Sequence, residues 1–527
     1  MKLPQPEEIL FSEIENSAAL DKIKRIFSKK YRRPLLTNVE LLKVYRRLAK
    51  KGSIKESKKL EALLRKRRVR SLSGIVSVSL LTKPYPCPGQ CLYCPTQRKM
   101  PKSYLDNEPA VMRAIANDFD PFRQVTSRLQ TLYGAGHPIN KVELIIIGGT
   151  WSYLPKRYQS WFIKRCFEAG NAFHGKTISQ TLEAAQKRNE KAKCRIIGIT
   201  VETRPDFINE KEIINLRELG VTRVELGVQS IYDDVLALNK RGHAVKETIK
   251  ATKLLKDAGF KVCYHLMPNL PGSTLKRDQQ MFETIFADSS FQPDLLKIYP
   301  CVILKEAPRL HKMWQQGKYR PYTDKELIEL LVNAKKHVPV YCRIQRLIRD
   351  IPSTEIIAGC KVSNLRQDIA KQLKKNRERC WCIRCREIKE AYDPDTKLRL
   401  FRQDYKASSG KEIFLSFEDS KRDNLYSLLR LRIPENNSHF IPALSGAALI
   451  REIHTYGQVI PVGKGSKTKK SPQHKGLGIK LLKEAERIAK KEFGLKKIAV
   501  ISGIGARSYY SRKAGYKLEA TYMVKAL

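Results

Sequence analysis

The chain has 527 residues, which is too long for a single hydrophobic core, so we expect three or four domains. Its 101 Lys and Arg against 53 Asp and Glu give a net charge of +48, which favours a polyanionic partner, most often nucleic acid, over a general enrichment in lysine. No run of 18 apolar residues occurs and the first residues are acidic, so we expect neither a membrane span nor a targeting peptide.

Residues 1–70 are predicted to form a basic, helical arm. The arm holds 21 Lys and Arg against 8 Asp and Glu, a net charge of +13. Residues 39–50 and 58–70 carry apolar residues at helical spacing beside basic faces. A solvated helix face would explain one basic patch, but the two patches SKKYRRPLL and LRKRRVR in one arm favour a surface that binds phosphates.

Residues 71–330 alternate short apolar runs with helical stretches. The runs lie at 74–82, 142–149, 195–203, 223–230, 261–268 and 295–303. Six such units predict an α/β fold with a parallel sheet and helical crossovers, a partial (β/α)6 barrel like that of TIM barrels. The loops that follow the strands carry the active site in such barrels.

The loop after the first predicted strand contains Cys87, Cys91 and Cys94 in a C-x-x-x-C-x-x-C array. Three thiolates can hold a [4Fe-4S] cluster while one iron stays free of protein ligands, and a zinc knuckle with a distant fourth ligand is the alternative. Six of the twelve cysteines fall in two clusters of three, which do not pair into disulfides. We therefore expect metal sites in a reducing, cytoplasmic protein.

This array after the first strand resembles that of the radical S-adenosylmethionine (SAM) superfamily. The resemblance implies that the free iron binds SAM and that cleavage of SAM yields a 5′-deoxyadenosyl radical. It also implies that Gly148 and Gly149, after the second strand, contact the amino group of SAM, although Thr150 stands where these enzymes usually have an acid. The stretches VETRPD, ELGVQS and PNLPGS resemble further strand-end signatures of the superfamily, in the same order.

Residues 331–400 are predicted to be a linker that contains a second cysteine cluster. Cys380, Cys382 and Cys385 form a C-x-C-x-x-C array between basic residues. We expect structural zinc here, with a second iron–sulfur cluster as the alternative. The fourth zinc ligand is left open among Cys301, Cys360, a histidine and an acid.

Residues 401–527 are predicted to form an α+β domain. Gln473, Gly476 and Gly478 open a helix after a strand, and glycines there free backbone N–H groups for a pyrophosphate. This pattern resembles the coenzyme A loop of the GNAT acetyltransferases. Tyr509 and Tyr510 follow the last strand, where a tyrosine of these enzymes serves the leaving thiolate; we favour Tyr510, since Tyr509 is also explained by packing.

The combination of both domains resembles the tRNA uridine(34) acetyltransferase family, which includes the catalytic subunit of Elongator. The motifs that carry this resemblance run from about residue 40 to the end, among them VELIIIGGT, ETRPDF, REIHTYGQVIPVG and QHKGLGIKLL. The resemblance implies a tRNA carboxymethyluridine synthase. Such an enzyme uses the radical and acetyl-CoA to place a carboxymethyl group on carbon 5 of the wobble uridine, position 34, of tRNA.

Further expectations come from this resemblance alone. The anticodon stem-loop of tRNA would lie over the basic arm and reach a cleft between the two domains. The protein would act alone, as a homodimer or in an Elongator-like complex. The implied acetyl-CoA contacts are Lys141, Glu452, Ile453, His454, Thr455, Leu477, Gly478, Ile479 and Tyr510.

Two other functions were weighed against this one. A protein lysine acetyltransferase that uses only the GNAT domain would leave the first cysteine cluster idle and the basic arm unexplained. A scaffold without catalysis needs neither the cysteines nor the coenzyme A loop. The sequence leaves open which tRNAs are modified and which residue is the base that activates water.

Overall fold

The structure is a computed structural model. It describes residues 11, 17–32, 34–65, 71–173, 178–362, 364–389, 393, 395–457 and 476–527. Two seven-stranded sheets, each with its own helices, follow a small helical arm. Within these ranges, no helix combines the length and the apolar content that a membrane crossing requires.

The N-terminal arm is helical, as predicted, and has its own small core. Its helices are α1 (Ser17–Lys30), α2 (Asn38–Lys50) and α3 (Lys58–Leu64). A capping box between Thr37 and Glu40 starts α2, which buries Leu41, Leu42 and Tyr45 against the other two helices. The third helix ends before the densest basic residues, and 66–70 lie outside the described residues.

The first sheet is entirely parallel, with the strand order β1-β2-β3-β4-β5-β6-β8. Its strands are β1 (Val76–Leu81), β2 (Lys141–Ile147), β3 (Arg195–Thr203), β4 (Arg223–Gln229), β5 (Lys261–Leu266), β6 (Leu295–Ile298) and β8 (Arg343–Arg346). The edge strands β1 and β8 do not pair with each other, so the curled sheet is a half-barrel. Six strands confirm the predicted units; the seventh, β8, was missed because its sequence, RIQR, has no apolar run.

Helices surround this half-barrel, and all except the short helices at 109–115, 233–238 and 308–315 pack on its apolar core. They are α4 (Pro109–Ile115), α5 (Pro121–Gly134), α6 (Lys156–Ala172), α7 (Leu182–Asn189), α8 (Glu210–Glu218), α9 (Asp233–Leu238), α10 (Val245–Asp257), α11 (Leu275–Ala287), α12 (Pro308–Gln315) and α13 (Asp324–His337). The arm docks here: Arg46 Nη1 donates to Tyr133 O on α5 at 2.8 Å, and Arg65 Nε donates to Gly136 O at 2.7 Å.

The segment between the sheets is partly structured. It contains α14 (Leu365–Lys375), α15 (Ile383–Arg386) and β9 (Ile356–Ala358). Strand β9 pairs with β7 (Ile303–Leu304), a short strand that follows β6. Because β8 belongs to the half-barrel sheet, the barrel continues beyond residue 330.

The second sheet is mixed, with the order β10-β11-β12-β13-β14-β16-β15, and only β13 and β14 pair in parallel. Its strands are β10 (Arg399–Ala407), β11 (Gly410–Glu418), β12 (Leu425–Ile433), β13 (Ala447–Thr455), β14 (Lys497–Val500), β15 (Lys517–Glu519) and β16 (Tyr522–Ala526). Helices α16 (Leu477–Lys491) and α17 (Arg507–Ala514) pack beside it. This α+β arrangement agrees with the predicted GNAT-like domain.

A buried ion network joins the second sheet to the half-barrel. Arg451 on β13 donates to Asp294, just before β6, at 2.9 Å and to the Phe260 carbonyl at 2.5 Å. Arg430 on β12 donates to the Tyr341 carbonyl at 2.6 Å. Burial raises the pKa of Asp294, but Arg451, Lys256 and Arg430 lower it further, so the carboxyl stays ionised. The network fixes the position of the two domains relative to each other.

A close backbone approach adds to this contact. Gly503 lies against the start of β3, and a Cβ at this position would stand 2.0 Å from the Ile197 carbonyl oxygen. A Cβ at Gly505 would stand 2.6 Å from Cβ of Arg195. Only glycine allows the loop after β14 to lie this close to the half-barrel.

Candidate active site

One cavity of about 1530 Å3 extends from the half-barrel to the second sheet. Residues of the loop after β1 line it, and so do residues of β13 and α17. The cavity therefore joins two regions that the sequence analysis assigned to different cofactors. Among the predicted residues, those that line it are Cys87, Cys91, Cys94, Gly149, Glu452, Ile453, His454 and Tyr510.

The three cysteines of the loop after β1 are half-buried around Gly89. A Cβ on Gly89 would lie 3.6 Å from Cys91 Sγ and 3.7 Å from Cys87 Sγ, so the glycine leaves room between two thiols. Burial, with Cys91 and Cys87 nearby, raises the pKa of Cys94 to about 11. The sulfur atoms do not all lie within 4.8 Å of one another.

A buried arginine contacts this loop from the barrel wall. Arg241 Nη1 donates to Cys91 Sγ at 3.5 Å, while its Nη2 donates to the Gly227 carbonyl at 2.6 Å. A Cβ on Gly227 would stand 2.5 Å from Arg241 Nη2, so the glycine of ELGVQS makes room for the guanidinium. The sequence analysis had found the motif but not this partner.

The glycines after β2 differ in what they face. Gly148 and Gly149 have φ angles of +127° and +105°, which L side chains rarely adopt. A Cβ on Gly148 would stand 2.4 Å from Thr82 Oγ1, so this glycine packs against the end of β1. Gly149 and Thr150 line the cavity next to the cysteine loop.

These features fit a [4Fe-4S] cluster and SAM. A tetrahedral zinc with Zn–S bonds of about 2.3 Å brings its sulfur ligands to about 3.8 Å from one another. The wider spacing of Cys87, Cys91 and Cys94 suits a larger inorganic group. The open cavity beside them leaves space for a ligand on the free iron.

Charged side chains on the inner face of the half-barrel were missed from the sequence. Glu225 on β4 pairs with Lys297 on β6, and its Oε2 lies 2.9 Å from His265 Nε2 on β5. Lys297 Nζ also lies 3.6 Å from Glu202 Oε1. The other carboxylate oxygen, Glu202 Oε2, accepts a hydrogen bond from the Tyr104 hydroxyl at 2.8 Å. The available signal was an ionisable residue inside the apolar runs of β3, β4, β5 and β6: Glu202, Glu225, His265 and Lys297.

The charge state of this wall is set by pairing. Burial raises the pKa of Glu225, but Lys297, His265 and Arg223 lower it further, and the net pKa falls below its ordinary value. Glu225, Cys263 and His265 have ligand atoms within 4.8 Å of one another. The Lys297 ammonium already stands where a cation would bind, so we assign no metal to them.

At the other end of the cavity, β13 presents its predicted acetyl-CoA residues. Glu452 accepts from Arg430 Nε at 2.8 Å and from Lys261 Nζ at 3.4 Å. The His454 ring lies 4.3 Å from the Tyr456 ring at an angle of 38°, and its Nε2 has no hydrogen-bond partner among the described residues. Burial lowers the pKa of His454 to about 4, so the ring is neutral at pH 7.

The start of α16 and the two tyrosines meet beside β13. Gly476 takes a left-handed φ of +67° before the buried Leu477. A Cβ on Gly478 would stand 2.8 Å from the Tyr509 hydroxyl, 3.6 Å from Ile453 and 3.9 Å from Thr455. Gly478, Tyr509, Ile453 and Thr455 therefore lie close together.

The other residues of this region have different surroundings. Tyr510 is buried and lines the cavity, whereas 37% of Tyr509 is exposed. Ile479 packs against the core of the second sheet. Gln473 lies outside the described residues.

Lys141, the first residue of β2, does not line the cavity but lies beside the second domain. It pairs in register with Arg195, against which Gly505 packs. Burial and the charge of Arg195 lower its pKa. The two domains thus face each other at this residue.

The second cysteine cluster is compact. The sulfur atoms of Cys380, Cys382 and Cys385 lie within 4.8 Å of one another, and Lys335 Nζ lies 3.6 Å from Cys385 Sγ. Hydrogen bonds from Cys380 and Cys385 lower the pKa of Cys382 well below its ordinary value. Three sulfur atoms this close together can share one metal group, and both zinc and an iron–sulfur cluster use such thiolate ligands.

The fourth ligand of this cluster is not identified. Within the described ranges, no further His, Cys, Asp or Glu ligand atom joins the group. Cys301 and Cys360, which the sequence had left as candidates, line the main cavity instead.

Comparisons with known proteins agree with this site. Residues 85–285 match the family model of the radical SAM superfamily, and residues 293–375 match that of the radical SAM C-terminal domain. A tRNA uridine(34) acetyltransferase from Methanocaldococcus infernus is 46% identical over 511 residues, which cover 93% of this chain and 94% of that protein. Elongator complex protein 3 from Homo sapiens is 40% identical over 479 residues, which cover 88% and 86%.

A solved structure has the same fold over most of the chain. The archaeal Methanocaldococcus infernus Elp3, with residues 1–46 deleted, superposes with a TM-score of 0.75 at 45% identity. The match covers 86% of this chain and 100% of the other. The similarity therefore includes both sheets and not only the half-barrel.

Proposed function

We propose that this chain, which belongs to the tRNA uridine(34) acetyltransferase family, installs a carboxymethyl group at carbon 5 of the wobble uridine of tRNA. The chain is an acyltransferase with a radical SAM domain. One observation supports carboxymethylation as the reaction: the cysteine loop and the predicted acetyl-CoA residues line the same cavity. A lysine acetyltransferase would not need a cysteine loop that opens into its active-site cavity.

The residues of the half-barrel would hold the radical-generating groups. Cys87, Cys91 and Cys94 would ligate a [4Fe-4S] cluster, and Gly149 and Thr150 would receive the amino group of SAM, with Gly148 supporting the turn. When bound, the cluster and SAM supply a radical strong enough to take hydrogen from an unactivated methyl group.

The C-terminal domain would bind acetyl-CoA as the co-substrate. Backbone N–H groups at the start of α16 suit a pyrophosphate, and Lys141 would meet a CoA phosphate across the domain contact. The proposed binding residues are Lys141, Glu452, Ile453, His454, Thr455, Gln473, Gly476, Leu477, Gly478, Ile479 and Tyr510.

Tyr510 would protonate the departing CoA thiolate. Burial raises the pKa of its hydroxyl, which therefore keeps its proton at neutral pH and can donate it. The acetyl methyl group would lose a hydrogen atom to the SAM-derived radical, which becomes 5′-deoxyadenosine, and its carbon would bond to carbon 5 of uracil. Carbon 5 would then lose its hydrogen as a proton, and the remaining electron would return to the iron–sulfur cluster. Hydrolysis of the thioester would then leave the carboxymethyl group on the base and release CoA. Tyr509, which lies over Gly478, would close the same site.

The partner would be the anticodon stem-loop of tRNA. The net charge of +48 supports binding through phosphates with a steep salt dependence. A single-stranded loop would let the target base leave its stack at low cost.

All twelve cysteines are free, which supports a reducing, cytoplasmic setting. Cys380, Cys382 and Cys385 would hold structural zinc.

The test is mass spectrometry of tRNA nucleosides. Protein reconstituted anaerobically with iron and sulfide would receive reductant, SAM, acetyl-CoA and tRNA. We expect a carboxymethyluridine peak that is absent with Cys91→Ala and present with Cys166→Ala, which changes a buried cysteine outside both clusters. Acetylation of a protein without any new nucleoside would instead support the lysine acetyltransferase function.

A further inference from the structure

The two binding regions lie at opposite ends of the same strands. The cysteine loop follows the carboxyl end of β1, and Gly149 follows that of β2. The second domain contacts the amino ends: Arg451 bonds to the Phe260 carbonyl, before β5, and Lys261, the first residue of β5, bonds to Glu452. With strands of six or seven residues, the two ends are roughly 20 Å apart.

The cavity connects these ends through the interior of the half-barrel. Its lining includes Gly198 and Thr222 near the amino ends, His265 and Lys297 further along, and Cys94 at the carboxyl end. A group bound at β13 can thus reach the cysteine loop without leaving the protein.

The wall of this passage is polar, but its charges are paired. Arg223 Nη1 lies 2.8 Å from Glu143 Oε1, and Lys297 lies between Glu202 and Glu225. Lys261 pairs with Glu452 at the entrance from the second domain. Such a wall offers hydrogen bonds without a strong net field, which suits an uncharged chain with amide groups better than a hydrocarbon tail or a phosphate.

We infer that the acyl end of acetyl-CoA enters the half-barrel through its amino end and meets the target base inside the barrel. The pantetheine arm is such an uncharged, amide-bearing chain, and it ends in the thioester. The nucleotide end stays at α16, whereas the base enters from the carboxyl end, beside the cysteine loop. This inference rests on the proposed function, since it assumes acetyl-CoA as the ligand of the second domain.

Photo-crosslinking tests the route without any turnover. The probe is a short acyl-CoA with a diazirine at the acyl terminus, irradiated with the full-length wild-type protein and mapped by peptide mass spectrometry. We expect adducts on lumen residues of β4, β5 or β6, such as His265, that excess acetyl-CoA suppresses. Adducts only on the C-terminal domain or the outer surface, or none that acetyl-CoA suppresses, would overturn the inference.

A steric block tests the same route in the reaction. A Cβ at Gly198 would meet Thr222 Oγ1 at 3.4 Å and Glu143 Cγ at 3.9 Å, so Gly198→Ala fits. Gly198→Phe would fill the passage. We expect Gly198→Phe to lower carboxymethyluridine at least tenfold while the Kd for SAM, which binds at the other end, changes less than twofold. Gly198→Ala should keep product within twofold of wild type.

The outcomes separate the two proposals. If the Gly198→Phe variant makes as much carboxymethyluridine as the wild type, the internal route is wrong. If Gly198→Phe does not fold, the crosslinks on wild-type protein decide. If the wild type makes no carboxymethyluridine, the proposed function fails, while suppressible crosslinks in the lumen still support the route of the acyl arm.

Discussion

The two cysteine triads of this chain have nearly the same short spacing but opposite surroundings. Cys87, Cys91 and Cys94 are half-buried, spread more widely than 4.8 Å, and open into the large cavity. Cys380, Cys382 and Cys385 gather within 4.8 Å, and the first two are buried. A cation contacts a sulfur atom of each triad: Arg241 Nη1 lies 3.5 Å from Cys91 Sγ, and Lys335 Nζ lies 3.6 Å from Cys385 Sγ.

The difference indicates what each triad is for. An open position beside a metal group serves chemistry, whereas a compact set of thiols serves stability. Hence substitutions in the first triad should remove activity and leave folding intact, and substitutions in the second should do the reverse. The following predictions test this division.

The largest effect is expected for Cys91→Ala. Loss of one of three thiolates should remove the iron–sulfur cluster and lower product formation at least 100-fold, equivalent to about 2.7 kcal/mol. The melting temperature and the zinc content should stay at wild-type values. Nucleoside mass spectrometry measures the product, metal analysis the zinc content and calorimetry the melting temperature. A fall in zinc content would contradict the separate roles of the two triads.

A loss of stability is expected for Cys382→Ala. Without its buried thiolate the second triad should release zinc, at a cost of about 3 kcal/mol or more. The melting temperature should fall by several degrees while iron per protein remains unchanged. Cys342→Ala is the matched control, because Cys342 is also buried nearby but does not belong to the group. An equal shift in both variants would argue against a metal at this triad.

A smaller change is expected for Arg241→Gln. The cation and its hydrogen bond to Cys91 should stabilise the reduced, more negative cluster, so their loss should lower its reduction potential. We expect a shift of about 60 mV, equal to a tenfold change in a one-electron equilibrium. A redox titration followed by electron paramagnetic resonance measures it. A higher potential would contradict this role.

The smallest effect is expected for Lys335→Met. Methionine keeps the buried volume but removes the ammonium 3.6 Å from Cys385 Sγ, which balances the thiolates. We expect about 1 kcal/mol lower stability and weaker zinc retention against a chelator, with wild-type activity per folded protein. Lys336→Met, on the neighbouring and more exposed residue of α13, is the control.

The sequence predicted the strands that are continuous apolar runs, because burial on both faces of a parallel sheet leaves a local signal. It missed β8, whose residues Arg343 and Arg346 are charged. It also identified both cysteine triads as groups. Each of these motifs is local in sequence, so its parts stay together in the fold.

The pairs across the half-barrel could not be predicted. Glu225 and Lys297 are 72 residues apart, and Arg241 and Cys91 are 150 residues apart. Such contacts depend on strand order and on the tilt of the sheet. For the same reason, the positions of the two cofactor regions at opposite ends of the barrel could not be predicted.

The ion network between the domains has an evolutionary consequence. Asp294 belongs to the half-barrel, and its partners Arg430 and Arg451 belong to the second sheet. Exchange of either half for that of a distant homologue would leave a buried charge without its partner. The loss of one partner of a buried ion pair lowers stability by about 3–5 kcal/mol. Recombination or gene fission between residues 294 and 430 would therefore be selected against, so the two halves should be inherited together.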